Sequence, residues 1–222
     1  MSRSRTVPDQ TVPNSTVPDK PGRAGTKGVP REVREQQIID VATRLFGDHG
    51  YANVPLSKIA AAAGVSKPLI YAYFDSRDGL HAACVRRAGD RLVEAVAAAQ
   101  DTPAVAGRAV ATLTAIFQAL DGSTQSWKLI YDATLPRPSD AYDVARKYQN
   151  ALNGMGASGV AELLTEAGVT DPQDHSLMLT LWFQLVSTTI AWWHDNPHDS
   201  PAEMTDRFIR VFGTLSGARL DR

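Results

Sequence analysis

The chain has 222 residues, 23 Lys+Arg against 24 Asp+Glu, and 43% hydrophobic residues; that supports a packed core in one or two domains and excludes a wholly disordered chain. One cysteine, Cys84, excludes an intrachain disulfide framework and a zinc site built from several cysteines. Without an apolar run of about 18 residues no membrane-spanning helix is expected, and Arg3 and Arg5 precede no secretory apolar stretch, so the cytoplasm is the expected compartment.

The net charge of −1 conceals a gradient. Residues 1–30 carry five basic and two acidic groups, net +3. Residues 31–80 carry six of each, and residues 81–222 carry 12 basic and 16 acidic, net −4. In the first stretch TVPDQ, TVPNS and TVPDK follow one another from Thr6 to Lys20, and Pro8, Pro13, Pro18, Pro21 and Pro30 oppose a helix. A disordered, partly extended arm is expected over 1–30. It is either a plain solubilising tail or a basic arm that follows phosphates or enters a minor groove.

After Pro30 the apolar period becomes helical. Ile38, Val41, Ala42, Leu45 and Phe46 fall three and four apart, which predicts a helix over about 31–48, stopped by Gly50. The next stretch, PLSKIAAAAGVSKPLIYAYF at 55–74, predicts a helix, a tight turn and a second helix. Pro55 suits a first helical turn. Leu56, Ile59 and Ala60 give a buried face, Gly64 a turn, Ser66 an N-cap, and Ile70 and Phe74 an inward face. This is the pattern of a helix-turn-helix. Ser66, Lys67, Pro68, Leu69, Tyr71 and Tyr73 are the candidate DNA contacts of the second helix, with Ser57 and Lys58 on the first. Lys67 loses a little to the helix dipole and gains if a phosphate or a guanine edge lies close. The alternative for the two tyrosines is half-buried packing against the first helix.

The segments IIDVATRLFGDHGY at 38–51, IAAAAGVSKPLIYAYF at 59–74 and DSRDGL at 75–80 resemble the DNA-binding domain of the TetR family of transcriptional regulators. The resemblance covers about 45 residues and implies phosphate contacts by Tyr71 and Tyr73 and a phosphate or base contact by Lys67. It also implies Phe46 and Phe74 as core anchors. One departure stands out. The family usually has Thr or Ser where this chain has Val54 and Pro55, so the hydroxyl cap and its phosphate contact are absent. Ser57 and Lys58 are the residues placed to replace that contact.

Past Leu80 the pattern stays helical, in segments near 77–100, 104–121, 124–134, 140–167, 173–195 and 201–217, and no strand is expected. The fold is therefore expected to be all-α. It comprises an arm (1–30), a three-helix DNA-binding domain (31–80) and a helical effector-binding and dimerisation domain (81–222). In segment 177–193 Leu181, Leu185, Thr188 and Trp192 form one stripe, and Met178, Trp182 and Val186 a neighbouring one. So broad an apolar circumference suggests a dimer interface, completed by Phe208 and Phe212; the alternative is a central helix buried within one chain. Phe117, Trp127, Tyr131, Met155, Met178 and Trp182 are candidate lining for a hydrophobic or aromatic ligand, with ordinary core packing as the alternative. The Gly- and Ala-rich run 150–160 is compatible with close helix packing, room for a ligand or a bend.

His194 and His198 are separated by Pro197 and read as a surface turn rather than a metal pair. No phosphate loop or nucleophile elbow occurs, and neither metal, cofactor nor enzymatic activity is expected. The leading functional expectation is a repressor that binds a palindromic operator as a homodimer and is released by a small ligand. A regulator of the same fold that lacks an effector or activates, and a helical protein-interaction module that has lost DNA binding, are the alternatives.

Overall fold

The computed structural model describes residues 28–102 and 105–216. The arm expected over 1–30 lies outside them as far as residue 27. Helix α1 is Arg31–His49, followed by a single 3-10 turn, Tyr51–Asn53. Helices α2 (Leu56–Ala62) and α3 (Lys67–Phe74) complete the first unit. Then come α4 (Arg77–Ala99), α5 (Val105–Ala119), α6 (Gln125–Ile130), α7 (Asp140–Glu166), α8 (Pro172–Asp195) and α9 (Pro201–Ser216). The described residues are all-helical, as the periodicity predicts.

The local chemistry of the first unit follows the sequence pattern. Ile38, Ala42 and Phe46 of α1 are buried, with Val41 and Leu45 packed at the margin of the same core. The α2–α3 turn is a Schellman close: Gly64 has φ +64°, its N–H donates to the Ala61 carbonyl at 3.2 Å, and Val65 N–H donates to Ala60 at 3.0 Å. An L side chain resists that φ, which explains the glycine. Ser66 then caps α3 by accepting from Leu69 N–H at 3.3 Å. Pro55 takes the N-cap position of α2 without a side-chain cap bond, and Val54 beside it is fully buried. Of the two positions where the family has a hydroxyl, Val54 thus contributes to the core and Pro55 is an exposed cap without a hydroxyl.

Helix α4 starts under the C-terminus of α3 and runs on as the axis of the second unit, so the expected division at Leu80 falls inside a continuous helix. Helix α7 packs along α4, with α5 and α6 also against it. Helix α9 packs on α5, and α8 on α7 and α6. The short α6 also lies across α1. Their approach depends on Gly47, where an added Cβ would stand 2.5 Å from Gln125 Cβ and 2.7 Å from the Gln125 carbonyl oxygen.

The expected segment 124–134 forms a shorter helix, Gln125–Ile130. Its chain leaves the helix at Tyr131 because Asp132 is used elsewhere: Oδ1 accepts from Thr134 N–H and Oγ1–H, both at 2.7 Å, and Oδ2 accepts from Tyr51 N–H at 2.7 Å. The Gly-rich run at 150–160 stays within the unbroken helix α7.

Candidate nucleic-acid interface and ligand cavity

The helix-turn-helix presents one open face. From Leu56 to Phe74 there are two lysines, Lys58 and Lys67, and no acidic residue. The neutral sum over 31–80 therefore hides a locally cationic face. Ser57, Lys58, Ser66, Lys67 and Pro68 are exposed, and Leu69 is half-buried. Tyr71 is 49% exposed, the largest open aromatic of the unit. Tyr73 is half-buried, with its ring 6.0 Å from Phe74, and the Arg31 guanidinium lies 4.9 Å over it. Arg31, at the start of α1, had no motif to mark it; only the fold brings it to α3. The opposite side of α3 is anchored by buried Ile70 and Phe74, so the polar tips have a fixed base.

A polar junction ties this unit to the rest. Besides the Tyr51–Asp132 bond, Ala52 N–H donates to Thr134 Oγ1 at 3.3 Å. Arg77 Nη2 donates to the Tyr51 carbonyl at 3.1 Å, and its guanidinium sits 3.9 Å over the Tyr51 ring. Asp78 Oδ2 accepts from Ala141 N–H at 3.3 Å. His194, read as part of a surface turn, instead bonds Thr124 Oγ1 through Nδ1 at 2.8 Å and lies 3.5 Å from Asp48 through Nε2. At the centre His81 is fully buried, edge-on to Phe46 (4.8 Å) and Tyr51 (5.2 Å). Neither of its ring nitrogens has a hydrogen-bond partner. Burial pulls its pKa down to about 4, against the opposing pull of Asp132 and Asp78. Cys84 is buried in the α1–α4 contact, where desolvation pushes its thiol up to about 12; it is a packing residue.

The second unit holds two adjoining cavities. The outer one, about 80 Å³, lies between the end of α4 and helices α5, α7 and α8, with Arg108, Thr112, Met155, Gly156, Leu163 and Trp182 in its wall. The inner one, about 20 Å³, shares Thr112, Gly156 and Trp182 and reaches Trp127. Gly156 is tight on one side, where an added Cβ would stand 3.1 Å from the Phe183 ring, and open on the other. Of the candidate ligand residues, Met155 and Trp182 line the outer cavity, and Trp127 and Trp182 the inner one. The Tyr131 ring lies tilted against Trp127 (4.8 Å) and its hydroxyl donates to Asn153 Oδ1 at 3.1 Å; burial raises its pKa. Phe117 is sealed in the core against Trp193, and Met178 is exposed near the start of α8. Arg108 and Thr112, absent from the sequence-level set, carry the polar end of the outer cavity.

At the far end, α8 shows two stripes with different fates. Val186 is buried and Trp182 half-buried, whereas Leu181 is 55% and Trp192 44% exposed. Leu185, Thr188 and Trp192 of α8 and Phe208 and Phe212 of α9 border one open groove of about 420 Å³. Phe208 itself is buried, stacked on Phe212 at 5.6 Å and edge-on to Trp182 at 6.5 Å. Leu181 lies one turn before Leu185 on the same stripe. Arg207 at the groove is neutralised by two bonds to Asp199, at 2.6 and 2.9 Å. No helix among the described residues is long and apolar enough to cross a membrane, and no group of three or more metal-binding side chains occurs among them.

Residues 38–84 match the family model for bacterial regulatory proteins of the tetR family. The chain is 34% identical over 105 residues to the HTH-type transcriptional activator FasR of Mycolicibacterium smegmatis, covering 47% of this chain and 48% of that protein. The chain spans about half or less of the length of the first curated relatives it matches and up to 62% of the others. A TetR-like transcriptional regulator from Rhodococcus sp. RHA1 superposes with TM-score 0.63 at 26% identity, over 86% of this chain and all of that one. AibR, solved in complex with isovaleryl coenzyme A and operator DNA, shares the fold with TM-score 0.65 at 17% identity, over 85% of this chain and all of that one. The helix-turn-helix geometry, the family match and the likeness of the described fold agree: residues 38–84 form a DNA-binding domain of the tetR family, carried on a fold similar to that of solved TetR-like regulators.

Proposed function

We propose that the protein works as a homodimer on a near-palindromic operator, with one α3 in the major groove of each half-site, and that a small apolar or aromatic ligand releases it. The observation that carries this reading is the pairing of an acid-free helix-turn-helix face at one end with an open apolar α8–α9 groove at the other. One short helix reads few base pairs, and a two-fold dimer doubles the site. Lys67 and Tyr71 are the main contacts, with Ser57, Lys58, Ser66 and Tyr73 on phosphates and Pro68 and Leu69 against the base edges. Leu181, Leu185, Thr188, Trp192, Phe208 and Phe212 form the interface. The working division is residues 31–80 for DNA and 81–222 for ligand and pairing.

Met155, Trp182 and Trp127 receive the ligand. Its effect reaches DNA through α6: Trp127 contacts Tyr131, Tyr131 precedes Asp132, and Asp132 holds the Tyr51 N–H. A ligand that fits one position of α6 better than the other shifts the spacing of the reading heads, and DNA and ligand then weaken each other by the same factor.

The test is selection of bound sequences from random duplex DNA, followed by retention assays at several salt concentrations. A two-fold symmetric site is expected, with affinity falling steeply as salt rises. Lys67→Ala and Tyr71→Phe should each weaken retention, Lys67→Ala by about tenfold. Retention indifferent to salt and to both changes would leave the protein-interaction reading in possession. Activation is the second functional reading, favoured by the name of FasR, and a reporter fused downstream of the selected site decides the sign.

A further inference from the structure

We propose that the outer cavity takes a small organic acid, its apolar body between α5, α7 and α8 and its carboxylate on Arg108. This rests on the reading of that cavity as the effector site. Most of the wall is hydrocarbon, contributed by Ala109, Met155, Val160, Leu163 and Trp182, and the polar groups gather at one end. There the Gln100 amide is already used, donating to the Val96 carbonyl at 3.1 Å and to Thr112 Oγ1 at 3.2 Å. The guanidinium of Arg108 is different. Its Nε donates to the Thr102 carbonyl at 3.1 Å, which fixes the plane of the fork, and Nη1 donates to Glu162 Oε2 at 2.6 Å.

The Arg108 side chain is only 19% exposed, whereas that of Glu162 is 47% exposed. Glu162 can swing into water at little cost, since ion pairs at such exposure contribute little. The cation cannot leave without abandoning the wall of the cavity. The Glu162 carboxylate therefore marks what this guanidinium holds, and an incoming carboxylate replaces it like for like. An alcohol or amine offers no such exchange. Because the two cavities share Thr112, Gly156 and Trp182, a chain extending inward from Arg108 passes Trp182 before it meets Trp127. Trp182 also touches Phe208, so its displacement reaches the α8–α9 face.

Octanoate and octanol share an apolar chain and differ in charge. Both are titrated into the full-length protein and into its complex with the selected duplex, following tryptophan emission, with Trp182→Phe assigning the signal. Octanoate is expected to bind about tenfold or more tightly than octanol, the margin of a charge-assisted hydrogen bond. Arg108→Gln should bring octanoate down to the level of octanol. Glu162→Gln removes the internal competitor and should tighten octanoate severalfold with octanol unchanged, a gain that misfolding cannot imitate. Equal binding of acid and alcohol in all three proteins overturns the carboxylate assignment and leaves the cavity as an effector site. Binding of neither compound, with DNA retention intact, overturns the cavity reading as well. An emission change that survives both Trp182→Phe and Trp127→Phe overturns the placement.

Discussion

The two ends of the molecule dispose of their apolar side chains in opposite ways. Between Ile38 and Phe74 the valine, leucine and isoleucine side chains are covered or half-covered, and Tyr71 is the one large hydrophobic left open. On α8 and α9 the reverse holds: Leu177, Leu181, Trp192 and Val211 are all widely exposed, and Trp192 and Val211 border a groove with few polar atoms. The first unit covers its large apolar side chains and leaves open a cationic, acid-free face that suits a polyanion. On the proposed reading the far end is the surface that a second copy covers, since an apolar patch of that kind marks a contact. The contrast separates two questions that the charge total of −1 merges, namely what holds the chain together and what it waits for.

The strongest way to break the contrast is to make the far end self-sufficient. Leu181→Glu combined with Trp192→Ala should yield a monomer by light scattering while the helical content persists. Truncation of a central interface tryptophan costs about 2–4 kcal/mol, and a buried carboxylate adds to that. Operator retention should fall by about a hundredfold or more, since each head then binds alone. A variant that stays dimeric with full retention would show that the apolar face lies elsewhere in the working assembly.

Acid should act on the junction between the two regions before it acts on either end. The folded pKa of His81 is about 4, and the unfolded value is 6.5. The unfolded chain therefore binds the proton more readily, and the stability held above pH 6.5 is lost as pH falls from 6.5 toward 4. The loss then levels off once both states are protonated. Two to three pH units correspond to about 3 kcal/mol. His81→Leu should flatten the melting temperature over that interval, and because both ring nitrogens lack partners it should not destabilise at neutral pH. An unchanged acid limb would move the sensitivity to another group.

Much of this was legible in the sequence wherever the cause is local. The stripe of α1, the Gly64 turn and the Ser66 cap each depend on residues within one or two turns, so period and capping chemistry sufficed. The division of α8 into two stripes also followed from spacing, and the stripe expected to face a partner is the one that carries the exposed Leu181 and Trp192. What escaped is made by distant partners. The 3-10 turn at Tyr51 is held by Asp132, 81 positions on, and that same carboxylate ends α6 early. Arg108 meets Glu162 across 54 positions, so nothing near either residue marks the cavity mouth. Phe117 and Trp182 looked equivalent as helical aromatics, and only packing sends one to the core and the other to a cavity wall.

The same distant contacts can be weakened from the α1 side. Gly47→Ala would place a methyl 2.5 Å from Gln125, and the nearest obstacles include backbone that cannot rotate away. Overpacking of this kind costs about 1–3 kcal/mol. The effect should appear in the melting temperature and, through the shift of α6, as a change in operator retention. Gly47→Ser should be at least as damaging. If stability falls and retention per folded molecule does not, α6 is structural support and carries no signal.

The smallest effects lie at the entry to α2, where the sequence departs from the family pattern. Val54 is fully buried, so Val54→Thr places a hydroxyl in the core and should cost about 1–2 kcal/mol unless it finds an acceptor. Pro55 is the N-cap, with φ −70° and ψ 148°, and makes no side-chain cap bond. Pro55→Ser adds a cap, favourable by about 1 kcal/mol, and gives up the stiffness of proline, unfavourable by about 0.4–1 kcal/mol. Stability should therefore stay within about 1 kcal/mol of the starting protein. Operator affinity is the sharper readout, because the same hydroxyl can donate to a phosphate. Retention should rise severalfold for Pro55→Ser and not for Pro55→Ala. Equal behaviour of the two variants would mean that Ser57 and Lys58 already satisfy that phosphate.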